Sequence, residues 1–424
     1  MGAVLYAQEG ASTNYTPYSI FGIGDISMEG TAYNRSMGGI GIANRNNRFI
    51  NIQNPAAVTA RDTLSFMSDF GLASNNKILS QGDSKTANNT FNLYDFIISF
   101  PIYKSSAMYF GIDPYSSVNY GFISNYTDPN LIGSTGSIRY TATGQGGLNH
   151  MYVGGGITFW KHLSIGAQMS YYFGNIEKAT NLSFANSSYR SIASGTNLSL
   201  RSSSGKFGVQ YESKVGNNST ITVGATYKLG SNITGYTESY KYANISNITD
   251  TLSYSSDTLK NIANKVKMAD EIGVGISYKY GDKLMVELDY LRSDWTKSNF
   301  NTTSGFANVG SNTRFTTTAS ESIRGGFEYT PNRNDIRYFL KRVTYRGGAY
   351  YDKEYYLLND NPVKTIGITL GATIPIYRWY NGLTFGMEIG QRGLGSDQLF
   401  RERFINFSVS LNIFDIWFQK IRYD

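Results

Sequence analysis

The sequence predicts an all-β fold, namely a transmembrane antiparallel β-barrel of about 14 strands with an N-terminal lumenal plug. The main observation is an alternation of apolar and polar side chains, which is clearest from Ile405 to Ile413 and from Ile366 to Ile374. Successive side chains of a strand point to opposite faces, so each such segment has one apolar and one polar face. The segments are also longer than the roughly 5–6 residues of an average soluble strand. A closed barrel in lipid accounts for both properties, because its apolar face meets lipid and no edge stays unpaired.

The composition is typical of a membrane barrel. The chain of 424 residues contains 45 Gly, 34 Tyr and 24 Phe, and 16% of its residues are charged, below the roughly 25% of soluble domains. No run of about 18 apolar residues occurs, so a transmembrane helix is not expected. Cysteine is absent, which excludes disulfide scaffolds, thiol catalysis and cysteine-ligated metals.

The formal net charge of +7 is compatible with acidic partners. Nucleic-acid-binding segments usually carry blocks of Lys and Arg, whereas this chain has no basic run of five or more residues. Many basic residues lie beside predicted turns or near the chain end, as do Lys161, Arg378 and Lys420. Such positions face solvent or lipid headgroups, so we expect outer-membrane lipid and no nucleic acid as partners.

The first 61 residues differ from the rest of the chain. Residues 1–7 are predicted to be the remnant of a secretory signal peptide, with cleavage after Ala7; the alternative is that they are foreign to the protein. Residues 8–61 are rich in Gly, Asn and Ser and lack sustained alternation. Irregular backbone at membrane depth is tolerated only inside a protein-lined cavity. Residues 8–61 are therefore predicted to form a plug in the lumen.

Residues 62–424 are predicted to form the barrel itself. The alternating segments begin near Asp62, Phe91, Ala107, Gly146, Leu163, Gly195, Ser219, Ala263, Lys283, Thr313, Arg337, Val363, Gly382 and Phe400. Short connections alternate with long polar ones, which cover residues 123–144, 236–261 and 297–312. Outer-membrane barrels have short periplasmic turns and long outer loops. The pattern therefore predicts a bacterial outer-membrane protein with both termini in the periplasm.

Aromatic residues cluster beside the short turns. We expect them to form the girdle at the inner membrane boundary, and they are Trp160, Tyr280, Tyr338, Phe339, Trp379, Tyr380, Trp417 and Phe418. The alternative is that they are aromatic residues scattered in the protein core.

The residues that catalysis or metal binding usually requires are missing. The two histidines, His150 and His162, have no suitably spaced partners for a zinc site or a Ser-His-Asp triad. No G-x-S-x-G, Walker A or H-E-x-x-H motif occurs. The sequence thus predicts a protein that is not an enzyme and has no catalytic residues, metal or cofactor.

The inward-facing positions of the predicted strands carry charges of both signs. The expected lumenal polar network consists of Lys228, Glu271, Lys279, Glu287, Asp289, Arg324, Glu328 and Glu388. Such charges can pair with each other and with a plug, and so hold the plug in place. The alternative is that they line a polar path or relay protons.

A proline interrupts the third predicted strand. Pro114 follows Asp113 inside an otherwise alternating segment. Proline removes a ladder hydrogen bond and is confined to edges, bulges and strand starts. Since a closed barrel has no edge, we expect a kink or an opening of the wall at Asp113 and Pro114, unless an outer loop begins there.

These features resemble the FadL/TodX family of outer-membrane transport proteins over nearly the whole chain. A plug of about fifty residues ends in an Asn-Pro-Ala motif, at Asn54, Pro55 and Ala56, and about fourteen strands with a disturbed third strand follow. Residues 15–25, together with Arg-Ser-Met-Gly-Gly-Ile-Gly at 35–41, look like the Bacteroidota branch of this family. They do not look like the branch that shuttles type 9 secretion cargo.

The resemblance implies two different functions. In the family, an apolar pocket above the plug takes hydrophobic compounds, which leave through a wall opening at the third strand. This chain departs from that pattern, because its inward positions are small, polar and charged. Some Bacteroidota FadL-like barrels are instead similar to accessory subunits of the β-barrel assembly machinery, which support surface lipoproteins. Fold alone does not choose between these roles.

We therefore expect a non-enzymatic docking subunit of an outer-membrane protein assembly complex, with other outer-membrane barrels and surface lipoproteins as partners. Its contacts would come from the long outer loops, with Tyr126, Tyr140, Tyr240 and Phe306 as aromatic anchors. The alternative is a passive transporter with a hydrophobic ligand. A barrel-embedded hydrolase is a third alternative, which the missing triad disfavours.

Overall fold

The computed structural model is a closed antiparallel barrel of 14 strands. It describes residues 3–5, 15–61, 65–81, 84–103, 105–245, 248–259, 265–307, 313–377, 381–393 and 400–416. The barrel strands are β1 (Ser65–Gln81), β2 (Ser84–Tyr103), β3 (Ser106–Tyr126), β4 (Ile138–Phe159), β5 (Leu163–Phe184), β6 (Ser191–Val215), β7 (Ser219–Lys228), β8 (Asp270–Tyr280), β9 (Leu284–Asp294), β10 (Ala319–Tyr329), β11 (Thr344–Leu358), β12 (Asn361–Tyr377), β13 (Asn381–Arg392) and β14 (Arg401–Ile416). Strand β14 pairs with β1 along its whole length, which closes the barrel. The predicted antiparallel β-barrel and its number of strands are confirmed.

The alternation seen in the sequence sets the two faces of the wall. In β12, Ile366, Ile368 and Leu370 point outward and are 48%, 60% and 53% exposed. The intervening Thr365 and Thr369 point inward and are buried. This period of two gives the barrel an apolar outer surface, as expected for a wall in contact with lipid.

Most connections on the periplasmic side are tight turns of three residues, such as residues 160–162, 216–218 and 281–283. The connection between β10 and β11 is longer than predicted. Strand β11 begins at Thr344 instead of Arg337, and residues 330–343 form an irregular turn with a 3₁₀ helix at Phe339–Lys341. Of the predicted girdle, Trp160 is 82% exposed, while Trp379, Tyr380, Trp417 and Phe418 lie outside the described residues.

The N-terminal segment, residues 15–61, lies inside the barrel. It contains two 3₁₀ helices, Pro17–Ile20 and Pro55–Ala60, the short α-helix Ala32–Arg35, and the two-residue strand Asp25–Ile26. Its backbone forms hydrogen bonds with strands that lie far apart around the barrel. The Gly38 N–H donates to Thr369 of β12 at 2.7 Å, and the Ala43 N–H donates to Glu287 of β9 at 2.7 Å. In the part of the chain that the structure describes, no helix is both long and apolar enough to cross a membrane.

The extreme N-terminus is described only in part. Ala3–Leu5 form a strand that pairs with residues 122–124 of β3. Residues 1–2 and 6–7 lie outside the described residues, so the signal-peptide remnant stays a prediction.

Several of the outer connections contain regular secondary structure. Residues 236–261, predicted as a loop, belong mostly to a hairpin of two strands, Thr234–Ile245 and Ile248–Thr258, which we call the outer hairpin. Its first strand pairs with the outer part of β6, from Ser191 to Arg201. Shorter elements are the α-helix Pro129–Ile132, the 3₁₀ helix Gly133–Thr135, and the strands Ser231–Asn232, Lys267–Met268 and Phe315–Thr317.

Two apolar layers fill the lumen. The inner layer includes Tyr33, Met37, Ile40 and Phe49 of the N-terminal segment, packed against Met285 near the periplasmic turns. The outer layer joins the start of the N-terminal segment to the outer ends of the strands, and includes Tyr18, Phe21, Ile23, Val118, Leu198, Leu200, Trp295, Phe300, Phe306, Tyr355 and Tyr356. A cavity lined by polar and charged side chains remains between the two layers.

The expectation that Phe306 is an exposed anchor is wrong. Its side chain is completely buried, and its ring stacks on Phe300 with centroids 5.2 Å apart. Its carbonyl accepts a hydrogen bond from the Gly22 N–H at 2.9 Å. The connection turns into the barrel mouth because its aromatic rings bury more apolar surface there than they could in solvent.

Candidate functional site

The space between the two layers is a charged chamber of about 280 Å³. Lys228 of β7 and Glu271 of β8 face each other across neighbouring strands on its wall. The Lys228 ammonium lies 4.9 Å from the ring centre of Tyr115 and 5.3 Å from that of Tyr172. Cation–π contacts and a facing carboxylate both stabilise a buried ammonium. This part of the predicted network therefore forms a cluster within the chamber.

Two further predicted network residues line the same chamber. Arg324 donates to the Gly39 carbonyl at 3.1 Å and to the Ser322 hydroxyl at 2.7 Å. Glu388 accepts hydrogen bonds from the Tyr350 hydroxyl and from the Asn406 amide. Arg324 thus links the wall to the N-terminal segment, whereas the contacts of Glu388 are within the wall.

Glu287 and Asp289 lie below the chamber, against the N-terminal segment. Asp289 accepts the backbone N–H groups of Gly41 and Ile42 at 2.7 and 3.0 Å, and Glu287 accepts that of Ala43. Both side chains are buried. Hydrogen bonds between a carboxylate and N–H groups are stronger than neutral ones, so this pair fixes the position of the segment.

The remaining two predicted network residues lie toward the periplasmic end. Glu328 pairs with Arg346 at 3.0 Å, and Arg346 also lies over the rings of Tyr33 and Phe49, 4.5 and 4.6 Å from their centres. Lys279 instead pairs with Asp282 of a periplasmic turn at 3.6 Å, with 40% of its side chain exposed. Lys279 therefore belongs to the rim and does not join the inner network.

The Asn-Pro-Ala motif anchors the end of the N-terminal segment to the wall. The Asn54 side chain accepts from the Ala56 N–H at 3.0 Å, which caps the helix Pro55–Ala60. Its amide donates to the Ile42 carbonyl at 2.8 Å and to the Val209 carbonyl of β6 at 3.2 Å. One side chain therefore forms hydrogen bonds with the start of the helix, with the N-terminal segment and with the barrel wall.

The wall is disturbed where the sequence has Asp113 and Pro114. The pairing of β2 with β3 ends at Phe96 and Ile112, and the register of β3 with β4 shifts just after Pro114. We call the unpaired outer half of this junction the β2–β3 seam. The N-terminal segment takes the place of β2 there, because Asp25–Ile26 pair with β3 and the Thr16 N–H donates to the Asn119 carbonyl.

Asp113 has a partner that the sequence did not indicate. Its carboxylate lies 3.0 Å from Nδ1 of His150, which is buried and stacks on Tyr172 with ring centres 4.7 Å apart. No serine hydroxyl bonds to Nε2 of His150 within the described residues. The Asp113–His150 pair thus provides two members of a triad without a nucleophile.

An ion cluster at the outer side of the chamber was not predicted from the sequence. Arg392 pairs with Asp25 at 2.8 Å and with Glu354 at 3.2 Å. Lys77 pairs with Glu402, which accepts from the Thr16 hydroxyl at 2.6 Å. The alternation in β13 and β14 places Arg392 and Glu402 on the inward face, so their lumenal position could be predicted from the sequence. The position of Asp25, the partner of Arg392, could not, because it lies in the irregular N-terminal segment.

Several solved structures have a similar fold. The toluene transporter TodX of Pseudomonas putida is similar at a TM-score of 0.61 and 12% identity, covering 93% of this chain and 100% of the other. A FadL homologue of Pseudomonas aeruginosa has a TM-score of 0.58 at 11% identity, with 94% and 100% covered. For the toluene transporter TbuX of Ralstonia pickettii, the values are 0.53, 16%, 91% and 98%.

Identities this low establish the fold alone, and that fold defines the class: a FadL-like β-barrel. The family model of BamG matches residues 1–424. The chain therefore belongs to the BamG family and is a bacterial outer-membrane protein. No curated protein matches it.

Proposed function

We propose that this barrel is a non-enzymatic accessory subunit of the outer-membrane protein assembly machinery, which docks partner proteins on its extracellular side. Membership of the BamG family supports the association with that machinery. The partners we propose are other outer-membrane barrels and surface lipoproteins.

The outer hairpin is the observation that carries the docking role. Tyr236, Ile248, Leu252 and Tyr254 are 56%, 59%, 54% and 58% exposed, on a hairpin that pairs with the outer end of β6 beyond the last residue of β7. Tyr240 and Tyr242 stack on the same element with ring centres 5.2 Å apart. Exposed tyrosines beside apolar residues are typical of protein interfaces. The second strand, Ile248–Thr258, also pairs on one side only among the described residues, and such an edge can accept a partner strand.

The lumen supports docking over transport. An apolar substrate needs an apolar passage, but the chamber wall carries Lys228, Glu271, Arg324 and other charges. Desolvating such groups against an apolar ligand is costly. The outer layer above the chamber is packed, with Ile23, Phe300 and Phe306 completely buried.

Passive transport of a hydrophobic molecule is the second candidate function. The β2–β3 seam favours it, because two adjacent wall strands separate there. The similarity in fold to toluene transporters also favours it. However, backbone of the N-terminal segment occupies the seam, so transport would require Asp25–Ile26 to leave β3.

The docking role is tested by purifying the tagged full-length protein in mild detergent from native membranes. We expect other outer-membrane proteins to co-purify. Replacing residues 236–258 by a short Gly-Ser linker should release them, because it removes the exposed tyrosines and the strand edge. The control is a variant in which residues 128–135, at the outer end of β3 and β4, are replaced by the same linker.

Folding of each variant is checked by the mobility shift of the barrel between unheated and heated gel samples. The docking proposal fails if wild-type protein purifies alone and carries a bound hydrophobic compound, which would support transport. It also fails if both loop variants retain their companions equally.

A further inference from the structure

The periplasmic turn at residues 330–343 has an amphipathic surface that the docking role does not use. Its apolar residues Ile336, Tyr338, Phe339 and Leu340 are 95%, 53%, 45% and 69% exposed. The other periplasmic turns between the strands of the barrel have only two or three residues. A long turn that exposes four neighbouring apolar side chains requires a partner surface to cover them.

The same turn is strongly basic. It carries four basic residues, Arg333, Arg337, Lys341 and Arg342, and a single acidic residue, Asp335. Two of these cations lie over aromatic rings of the turn, with Lys341 4.5 Å from the centre of Tyr338 and Arg342 5.0 Å from that of Phe339. Positive charges beside exposed aromatic rings are typical of surfaces that bind the membrane interface.

The turn is connected to the lipid-facing wall. Tyr345 of β11 is on the outward face, and its hydroxyl donates to the Leu340 carbonyl at 3.1 Å. Neighbouring outward residues at the same end include Tyr329 and Tyr280, which are 44% and 46% exposed. Leu340 therefore lies next to the outward-facing tyrosines at this end of the barrel and does not cover the lumen.

The shape of the turn is fixed by its own hydrogen bonds. Asp335 accepts the N–H groups of Arg337 and Tyr338 at 2.9 and 2.7 Å, and its carboxylate pairs with Lys341 at 3.6 Å. The Asn332 N–H donates to the Lys341 carbonyl at 2.9 Å. The apolar and basic side chains are thus held together on one ordered element.

We propose that residues 330–343 form a binding site for anionic phospholipid in the inner leaflet of the outer membrane. Arg337 and Lys341 contact the headgroup phosphates, and Ile336 and Leu340 enter the region between headgroups and acyl chains. The charge of the turn and its continuity with the lipid-facing belt favour a lipid over a periplasmic protein. This site is independent of the extracellular docking role.

The test uses full-length protein in an uncharged detergent, with phosphatidylglycerol and phosphatidylcholine of identical acyl chains added in equal amounts. Bound lipids are counted by native mass spectrometry. We expect wild-type protein to prefer phosphatidylglycerol. In the Arg337→Gln/Lys341→Gln variant, the ratio of bound phosphatidylglycerol to bound phosphatidylcholine should fall about fivefold for each charge removed. Both residues are exposed, so their substitution leaves the barrel folded.

Two further variants separate charge from apolar contact and from general basicity. Ile336→Ser/Leu340→Ser should weaken the binding of both lipids while the preference between them stays. Lys161→Gln/Lys214→Gln, which changes exposed cations beside other periplasmic turns, should behave as wild type. Equal binding of the two lipids by wild-type protein overturns the proposal. So does an equal loss in the Lys161/Lys214 control, or a charge variant that keeps its lipid and loses a periplasmic protein from native membranes.

Discussion

Single glycines decide how closely the N-terminal segment approaches the wall. A Cβ at Gly208 of β6 would lie 2.0 Å from Oδ1 of Asn54, and one at Gly224 of β7 would lie 2.2 Å from the Ile42 carbonyl oxygen. A carbon and an oxygen that are not bonded cannot approach so closely, so these positions have no room for a Cβ atom and require glycine. The inward glycines create the space in which Asn54 reaches the wall carbonyls.

Gly208→Ala should therefore displace Asn54 and loosen the N-terminal segment. Overpacking of a tight site costs about 1–3 kcal/mol, and the cap of the helix Pro55–Ala60 is weakened as well. Limited trypsin digestion of the folded protein measures the effect, and we expect faster cleavage after Arg45 and Arg61. Gly205→Ala in the same strand is the control, since its nearest neighbour is a flexible Leu229 methyl at 3.4 Å. Equal cleavage rates in the two variants would contradict this account.

The sequence allowed the inward direction of charged residues to be predicted, but not their partners. Glu287 and Asp289 follow from the period of two in β9. Their hydrogen bonds to residues 41–43 do not, because the irregular segment has no period that would position its N–H groups. The Asp113–His150 pair was missed for a related reason, since it depends on the register between β3 and β4.

At the scale of elements, membrane strands were predictable and the parts outside the membrane were less so. Lipid requires one apolar face on every crossing strand, which leaves a clear pattern in β12 and β14. Beyond the membrane this requirement ends. The outer hairpin is rich in Ser, Thr and Tyr and was therefore predicted to be a loop. Conversely, residues 337–343 alternate enough to suggest a strand, yet they form the exposed periplasmic turn.

The register of a strand predicts which substitutions its wall tolerates. Ile323 of β10 points to lipid and is 57% exposed, while Ser320 in the same strand lines the chamber. Arginine at a lipid-facing midplane position costs about 2–4 kcal/mol, whereas lumenal substitutions are tolerated better. We expect Ile323→Arg to reduce the folded fraction in vesicles far more than Ser320→Arg. The gel mobility shift on heating measures this fraction, and the opposite order would mean that the two faces of β10 are interchanged.

On the scale of the whole molecule, the barrel and the N-terminal segment depend on each other. The segment supplies the apolar rings of the inner layer and the strand that occupies the β2–β3 seam. The wall in turn supplies the carboxylates and glycines that receive the segment. Inward charges that would be costly alone are thereby paired with backbone N–H groups or with opposite charges. The lumen is therefore largely occupied by contacts that hold the segment and the wall together.

If the segment closes the lumen, its removal should open a conducting pore. Deleting residues 15–61 removes Tyr33, Phe49 and the rest of the inner layer, so water can reach the inward face of β9. Glu287 and Asp289 then lose their N–H partners and face that water as carboxylates, so we expect a steady current that favours cations. Conductance in planar bilayers, with a salt gradient to measure selectivity, tests this expectation against the closed full-length protein. The heat-dependent gel shift shows whether the barrel that lacks residues 15–61 has folded. A folded barrel that stays closed after the deletion would show that the wall strands, and not the segment, block the pore.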